Sequence, residues 1–216
     1  MERVICVVIG YVFGLFQTGY FYGKSKGIDI REHGSGNAGT TNTLRVLGTK
    51  AGLIVLVGDC VKCILAVLVA RALFGKAHPE MMFLLCVYTA AGAILGHNFP
   101  FYMKFKGGKG IAATAGLIIS LHPVFIPMML ILFFGTFILT HYVSLGSLLV
   151  YVGLVAEMVI CGQLGLFEMS QAYLNEMYLV TVLLAVMAFW KHRTNIGRLL
   201  RGEERKTYLF KKNKVD

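Results

Sequence analysis

Long apolar blocks separated by short, polar and mostly basic stretches set the pattern of this chain. The blocks run over residues 4–22, 51–74, 81–95, 111–140, 143–166 and 177–190. Several exceed the roughly 18 residues that mark a membrane-spanning helix. Block 111–140 contains Pro123 and Pro127, and proline removes a backbone donor and biases the residue before it away from helix. His122-Pro123 therefore marks a turn. The pattern predicts an all-α polytopic membrane protein with seven helical segments, at about 4–22, 51–73, 81–96, 111–121, 124–140, 144–162 and 176–190. Segment 111–121 has about 11 residues and reaches only about 16 Å, against about 30 Å of hydrocarbon. It cannot span alone. Either the loop before it dips into the membrane or the segment is re-entrant, and both options predict a recessed polar pocket floored by its first turn.

Composition agrees, with 56% hydrophobic and 15% charged residues, far from a soluble balance. Met1-Glu2-Arg3 leads straight into the first block with no small-residue cleavage site, so a retained first helix is expected. The net charge of +10 would suit nucleic acid, but the positive-inside bias explains it better. Of 21 Lys and Arg residues, 17 fall in 24–50, in 97–110 and from Lys191 onward. Placing these three segments on the cytoplasmic face puts the N-terminus outside and the C-terminus inside. The expected organisation is one integral-membrane domain over 1–216, with loops at about 24–50, 97–110 and 191–204 and a basic tail at 205–216. Five cysteines, all in apolar blocks, argue against a full disulfide framework, and Cys60-Val61-Lys62-Cys63 is read as packing. No metal or cofactor is expected.

Three polar stretches carry candidate chemistry. The first is Gly34-Ser35-Gly36-Asn37-Ala38-Gly39-Thr40-Thr41-Asn42. It satisfies G-x-G-x-x-G but lacks the strand and βαβ unit that a dinucleotide site needs. It precedes Thr40–Leu47, a short predicted helix ended by Gly48, whose free amides suit an anion, with Arg45 pointing back to the same place. A flexible turn-rich loop is the plain alternative. Asp29 and Glu32 are read as the loop's solvated surface. The second stretch runs from Gly96 to Gly110, where Gly107, Gly108 and Gly110 are expected to expose amides and Lys109 to add charge before the helix at Ile111. It is not a Walker A loop, because the spacing differs. Phe99, Phe101 and Phe105 either line the loop or anchor it at the membrane interface. In the third stretch, His192, Asn195 and Arg198 step by three and share a broad helical face. Beyond it, Arg201, Arg205, Lys206, Lys211, Lys212 and Lys214 suit a polybasic anchor on anionic lipid. Within the apolar blocks, Asp59 and Lys62 form an expected neutralising pair. Glu157 stands alone as an intramembrane carboxylate, a functional candidate with no assigned task.

Together, Ser35-Gly36-Asn37-x-Gly39-x-x-Asn42, Gly96-His97-x-Phe99 with Gly107-Gly108-Lys109-Gly110, and His192-x-x-Asn195-Ile196-x-Arg198-Leu199 with Gly202-Glu203 resemble the bacterial acyl-phosphate:glycerol-3-phosphate acyltransferases. The resemblance implies a multi-pass protein of the bacterial inner membrane with its site facing the cytoplasm. It implies transfer of a fatty acyl group from acyl phosphate to the 1-hydroxyl of glycerol 3-phosphate, giving lysophosphatidic acid and phosphate, the first step of phospholipid synthesis. Both substrates carry phosphate, and on that basis Ser35, Gly36, Asn37, Gly39, Thr40, Asn42, Arg45, Gly107, Gly108, Lys109, Gly110, Asn195 and Arg198 are assigned to substrate binding. His97, His192 and Ser35 are the candidate catalytic groups. An activated acyl donor needs alignment and charge stabilisation more than a nucleophilic triad. The H-x-x-x-x-D motif of other glycerol-phosphate acyltransferases is absent, since Tyr102 stands at that offset from His97. A substrate phosphate is therefore a third candidate base, and an acyl-Ser35 intermediate is disfavoured. The rival readings are a transporter of phosphate or a phosphorylated metabolite, and a non-catalytic membrane anchor.

Overall fold

The computed structural model describes residues 1–209 and 213, so Lys211, Lys212 and Lys214 of the expected anchor lie outside the described residues. Among the described residues all regular structure is helical. Helices α1 (Glu2–Gly14) and α2 (Thr18–Ser25) are followed by α3 (Thr40–Leu47) and α4 (Thr49–Phe74). Next come α5 (Met82–Asn98) and α6 (Ile111–Leu121). A hairpin partner for α6 is built from α7 (Phe125–Leu130), a π-helical stretch (Ile131–Gly135) and α8 (Thr136–Thr140). The chain ends with α9 (Val143–Gln163), α10 (Gln171–Lys191) and α11 (Arg193–Leu200).

Among the described residues, five helical stretches are long and apolar enough to cross a membrane: Glu2–Ser25, Thr49–Phe74, Pro79–Met103, Val143–Gln163 and Gln171–Lys191. Ile111–Leu121 and Phe125–Thr140 are shorter. The expected first segment, 4–22, is interrupted at residues 15–17, where Gln17 leaves the helical region. Its side-chain amide instead donates to the carbonyls of Gly14, Gly96 and His97 at 3.2, 3.3 and 3.1 Å. The last segment begins five residues before the expected 176, because the Ser170 hydroxyl caps it from Tyr173 N–H. The turn at His122-Pro123 stands where proline chemistry put it.

α5 is the centre of the bundle, with 72% of its most apolar window buried against 28% for the first and last spans. Its neighbour α1 approaches it through glycines on both sides. A Cβ added at Gly10 or Gly14 would fall on the carbonyls of Thr89 or Ala93, and one at Gly92 or Gly96 on those of Val7 or Tyr11. Each helix thus carries a G-x-x-x-G spacing, which in lipid lets backbones meet where hydrophobicity supplies no drive. Cys60 and Cys63 serve the α4–α6 crossing, where a Cβ on Gly116 would meet the Cys60 carbonyl and the Cys63 side chain. Val4, Val8, Val12, Leu53, Leu68, Ile138, Leu139, Leu183 and Val186 face outward as an exposed apolar surface suited to lipid.

On the face opposite the three polar stretches, Arg3 clasps Glu176 through two hydrogen bonds of 2.5 and 2.7 Å, and the Tyr88 hydroxyl donates to the same carboxylate at 2.7 Å. This ties the first span to the last. Gly96→Val is expected to force α1 off α5 and to cost about 1–3 kcal/mol, the range for overpacking. The check is a lower midpoint of thermal unfolding in detergent, together with loss of activity.

Candidate active site

The three polar stretches converge on one pocket of about 430 Å³, lined among others by Ser35, Thr40, Arg45, Asp59, His97, Lys109, Ser144, His192, Arg198 and Glu204. Its floor is the start of α6, at Gly110, Ile111 and Ala112. The starts of α3 and α6 both open into this space without a side-chain cap. Their first amides have no partner within their own helices and give the pocket two positive dipole ends.

The first loop uses its polarity differently from the sequence reading. Gly34 and Gly36 take φ of 59° and 70°, which favours glycine. The amides of Ser35, Gly36 and Gly39 are already engaged, with Asn42 Oδ1 at 2.8 Å, the His33 carbonyl at 3.1 Å and Asn37 Oδ1 at 3.0 Å. Asn42 is buried and spends its amide nitrogen on the carbonyls of Ile30 and His33, both at 3.0 Å. Asn42 therefore builds the loop and is not a free ligand. The groups left for an anion include the Ser35 hydroxyl, the α3 amides, Thr40 Oγ1 and Arg45 Nε. The last two are buried and unpartnered among the described residues. Asp29, expected in solvent, is buried. It accepts from the Arg31 guanidinium at 2.9 and 2.7 Å, and these bonds hold its carboxyl well below the usual carboxylate range.

The second loop is corrected in the same sense. Gly107 N–H donates to the Asn98 carbonyl at 3.2 Å and Gly108 N–H to the His97 carbonyl at 3.1 Å, so neither amide is offered to a ligand. Both glycines make room, because a Cβ at Gly108 would strike the His97 ring and one at Gly107 the His97 carbonyl. Gly110, at φ 81°, sits against Ile94 and Asn98 and starts α6. Of the four residues assigned to binding here, Lys109 and Gly110 line the pocket. Phe101 and Phe105 point outward, while Phe99 lies under the Lys191 ammonium at 4.7 Å and near Trp190.

In the third stretch His192, Asn195 and Arg198 all line the pocket, as their spacing predicts. Asn195 is a bridge: its Oδ1 accepts from Lys109 and its Nδ2 donates to Glu204 Oε1 at 2.6 Å. Glu204, to which sequence reasoning gave no role, is the organiser. Its Oε1 also accepts from the Ser144 hydroxyl at 2.9 Å, and its Oε2 accepts from Arg198 Nε at 2.8 Å. The third motif ended at Glu203, and nothing local in a basic tail marked its neighbour instead. The tail continues across α3 and α9, where Arg45 donates to the Arg205 carbonyl at 3.1 Å and to Thr207 Oγ1 at 2.7 Å, and Thr207 N–H donates to the His141 carbonyl at 3.0 Å. Arg205 thus belongs to the pocket wall as well as to the basic tail.

Burial pushes the Lys109 ammonium down to about 8, partly opposed by Glu204. Burial also pushes His192 down to about 4, helped by the nearby Lys109 charge. A neutral His192 has one ring proton, and Nδ1 lies 2.8 Å from the Ala188 carbonyl, which can only accept. Nδ1–H therefore donates, and Nε2 is left as an acceptor. Asp59 and Lys62 form the expected pair at 2.8 Å, joined by His97, whose Nδ1 lies 2.9 Å from the ammonium. Glu157 Oε2 is buried without a partner among the described residues.

A cation-lined pocket on one face of a helical bundle with an apolar outer surface defines an integral membrane protein with a polar site. The glycerol-3-phosphate acyltransferase family model matches residues 4–202, and the chain belongs to that family. It is 41% identical over 209 residues to the glycerol-3-phosphate acyltransferase of Halalkalibacterium halodurans, covering 95% of this chain and 96% of the relative. It is 38% identical over 217 residues to that of Exiguobacterium sibiricum, covering 100% and 98%. Among solved structures it is similar to PlsY (YgiH), an integral membrane glycerol 3-phosphate acyltransferase, in its glycerol 3-phosphate form. That match has a TM-score of 0.83 and 29% identity over 98% of this chain and 100% of that one. For the lysophosphatidic acid form the TM-score is 0.78, with 29% identity and 95% of each chain covered.

Glu204→Ala frees Arg198 and Asn195 together and is expected to lower kcat/KM by about 10- to 100-fold, in line with the cost of leaving buried polar groups without their partner. Glu203→Ala touches a side chain that is 60% exposed and pairs with Arg201; steady-state kinetics should place it within about twofold of wild type.

Proposed function

We propose that the protein transfers a fatty acyl group from acyl phosphate to the 1-hydroxyl of glycerol 3-phosphate. The observation that carries this reading is the pairing of two uncapped helix starts with Arg45, Lys109 and Arg198 around one pocket, in a chain of this family. Anionic substrates at a buried site need this density of fixed donors. Ser35, Thr40, Arg45, Lys109 and Arg198 hold the phosphates. Gly36, Asn37, Gly39, Asn42, Gly107, Gly108, Gly110 and Asn195 shape the walls that aim those groups.

His192 Nε2 accepts the hydrogen bond of the attacking hydroxyl and orients it. The hydroxyl oxygen bonds to the acyl carbon, the bond from that carbon to the phosphate oxygen breaks, and the hydroxyl proton ends on the departing phosphate. Lysophosphatidic acid and inorganic phosphate leave. His192 is a weak base at about 4, which suits orientation rather than storage of the proton. Ser35 then serves as a ligand, with no base beside it to make it a nucleophile. The site faces the cytoplasm of a bacterial inner membrane, with the N-terminus outside, the C-terminus inside, about seven membrane segments and one domain over the whole chain. The excess of Lys and Arg on the pocket-side segments supports this orientation.

Purified protein given acyl phosphate and labelled glycerol 3-phosphate is expected to form labelled lysophosphatidic acid. Absence of that product, with uptake of the label into proteoliposomes, would favour a transporter instead. The Lys109 charge is present below about pH 8 and lost above it. The apparent KM for glycerol 3-phosphate should therefore rise about tenfold from pH 7 to 9, and Lys109→Arg, which stays charged, should flatten the rise.

A further inference from the structure

The acyltransferase reading leaves two histidines in one pocket with no division of labour beyond His192, and the surroundings of His97 supply it. Lys62 Nζ reaches three acceptors: the Phe16 carbonyl at 2.6 Å, Asp59 Oδ1 at 2.8 Å and His97 Nδ1 at 2.9 Å. An ammonium carries three protons and no lone pair, so three acceptors satisfy it completely. Asp59, which also accepts from the Thr18 hydroxyl at 2.9 Å, pairs with the Lys62 Nζ at 2.8 Å. With Lys62 Nζ donating to all three, Nδ1 of His97 is the accepting, unprotonated nitrogen and the ring proton sits on Nε2. The His97 carbonyl is held separately, by Gln17 and Gly108 N–H, and the ring itself is buried. Gly108, lacking a Cβ, packs beside the Nε2 edge without striking it, and His97 lines the pocket.

We propose that His97 is a fixed hydrogen-bond donor to the acyl phosphate, not the base of the reaction, and that Lys62, Asp59 and Thr18 are positioning residues that set its tautomer. The two pocket histidines therefore have opposite polarity at Nε2: His97 donates and His192 accepts. Working as a base would require His97 to carry its proton on Nδ1, pointed at an ammonium 2.9 Å away. The acyl phosphate is the substrate concerned because this network stands between polar and apolar space. Asp59 and His97 line the phosphate pocket, while Lys62 borders an apolar groove with Val12, Phe13, Phe16, Gly58, Val61 and Leu65. Of the two substrates, only the acyl donor has both a phosphate and an apolar chain. The Nε2–H bond strengthens as the carbonyl oxygen gains charge under attack, which is how a preorganised donor lowers a barrier.

This inference rests on the acyltransferase reading for the substrate named, though not for the placement of the proton. The first measurement uses the wild-type protein in nanodiscs with ¹⁵N-labelled histidine. At pH 7 the His97 shifts should be those of a protonated Nε2 and an unprotonated Nδ1, and Lys62→Met should disturb that assignment. A wild-type signal from the Nδ1–H tautomer or from imidazolium would overturn the proposal. The second is kinetic. His97→Gln places an amide N–H near Nε2 and should keep kcat within about tenfold of wild type, whereas His97→Ala should lose about 10²- to 10³-fold, as for removal of one oxyanion donor. The KM for glycerol 3-phosphate should move by less than about threefold in both, since the lost bond belongs to the transition state of the other substrate. A His97→Gln protein that melts like wild type yet is as slow as His97→Ala would sink the donor role. Failure of the wild type to make lysophosphatidic acid would instead remove the acyltransferase assignment, with the labelling result still deciding where the proton sits.

Discussion

Everything in this bundle depends on the close approach of α1 to α5, made possible by glycine on both helices. Lipid tails are as apolar as leucine, so two spans gain little merely by hiding side chains from each other. Packing and hydrogen bonding must hold them. With Gly10, Gly14, Gly92 and Gly96 lacking side chains, the two backbones lie in contact. At the end of that contact Gln17 breaks the first span and spends its amide on the carbonyls that close α5, while the Tyr11 hydroxyl donates to the Phe99 carbonyl at 2.9 Å. The carbonyls at a helix end need partners when water is scarce. Here the neighbouring helix supplies them and fixes His97 in doing so.

The pocket follows a second rule, that a site for anions must hold its cations apart without an anion present. Glu204 does much of this, drawing Arg198, Asn195 and Ser144 to one carboxylate while Asn195 takes the Lys109 ammonium. One acid thereby organises several groups that would otherwise repel one another or turn toward solvent. The two helix starts contribute positive potential with no such repulsion to manage, because their partial charges belong to the backbone. The combination leaves one side of the pocket positive and its rear wall neutralised.

Much of this was legible in the residue order, wherever a local rule decided the outcome. Gly48 ends α3, proline turns the chain after His122, α6 has the limits its apolar block suggested, and Asp59 pairs with Lys62 three residues on. Failures came where a distant element intervened. No residue near Gln17 announces that its amide will be drawn to α5. The glycines at 107 and 108 read as phosphate amides because loop glycines often are, yet the carbonyls that occupy them belong to the end of α5. Asn42 looked like a ligand until the loop that folds back over it was seen. The G-x-x-x-G spacings in α1 and α5 were present in the sequence, and only their significance needed the second helix.

The clasp between Arg3 and Glu176 and the strap from Glu204 to Thr207 have a consequence for how the molecule is made. The first span is tied to the last on one face, and the other face is finished by residues that follow the last span. A ribosome makes these residues only after the helices they tie together. Until then the early helices can be in the membrane and packed together, but Arg45 has not met Thr207 and Arg198 has no carboxylate. Competence for chemistry therefore arrives as a late event in biogenesis, and a chain interrupted before its final turn leaves a bundle with an unfinished basin.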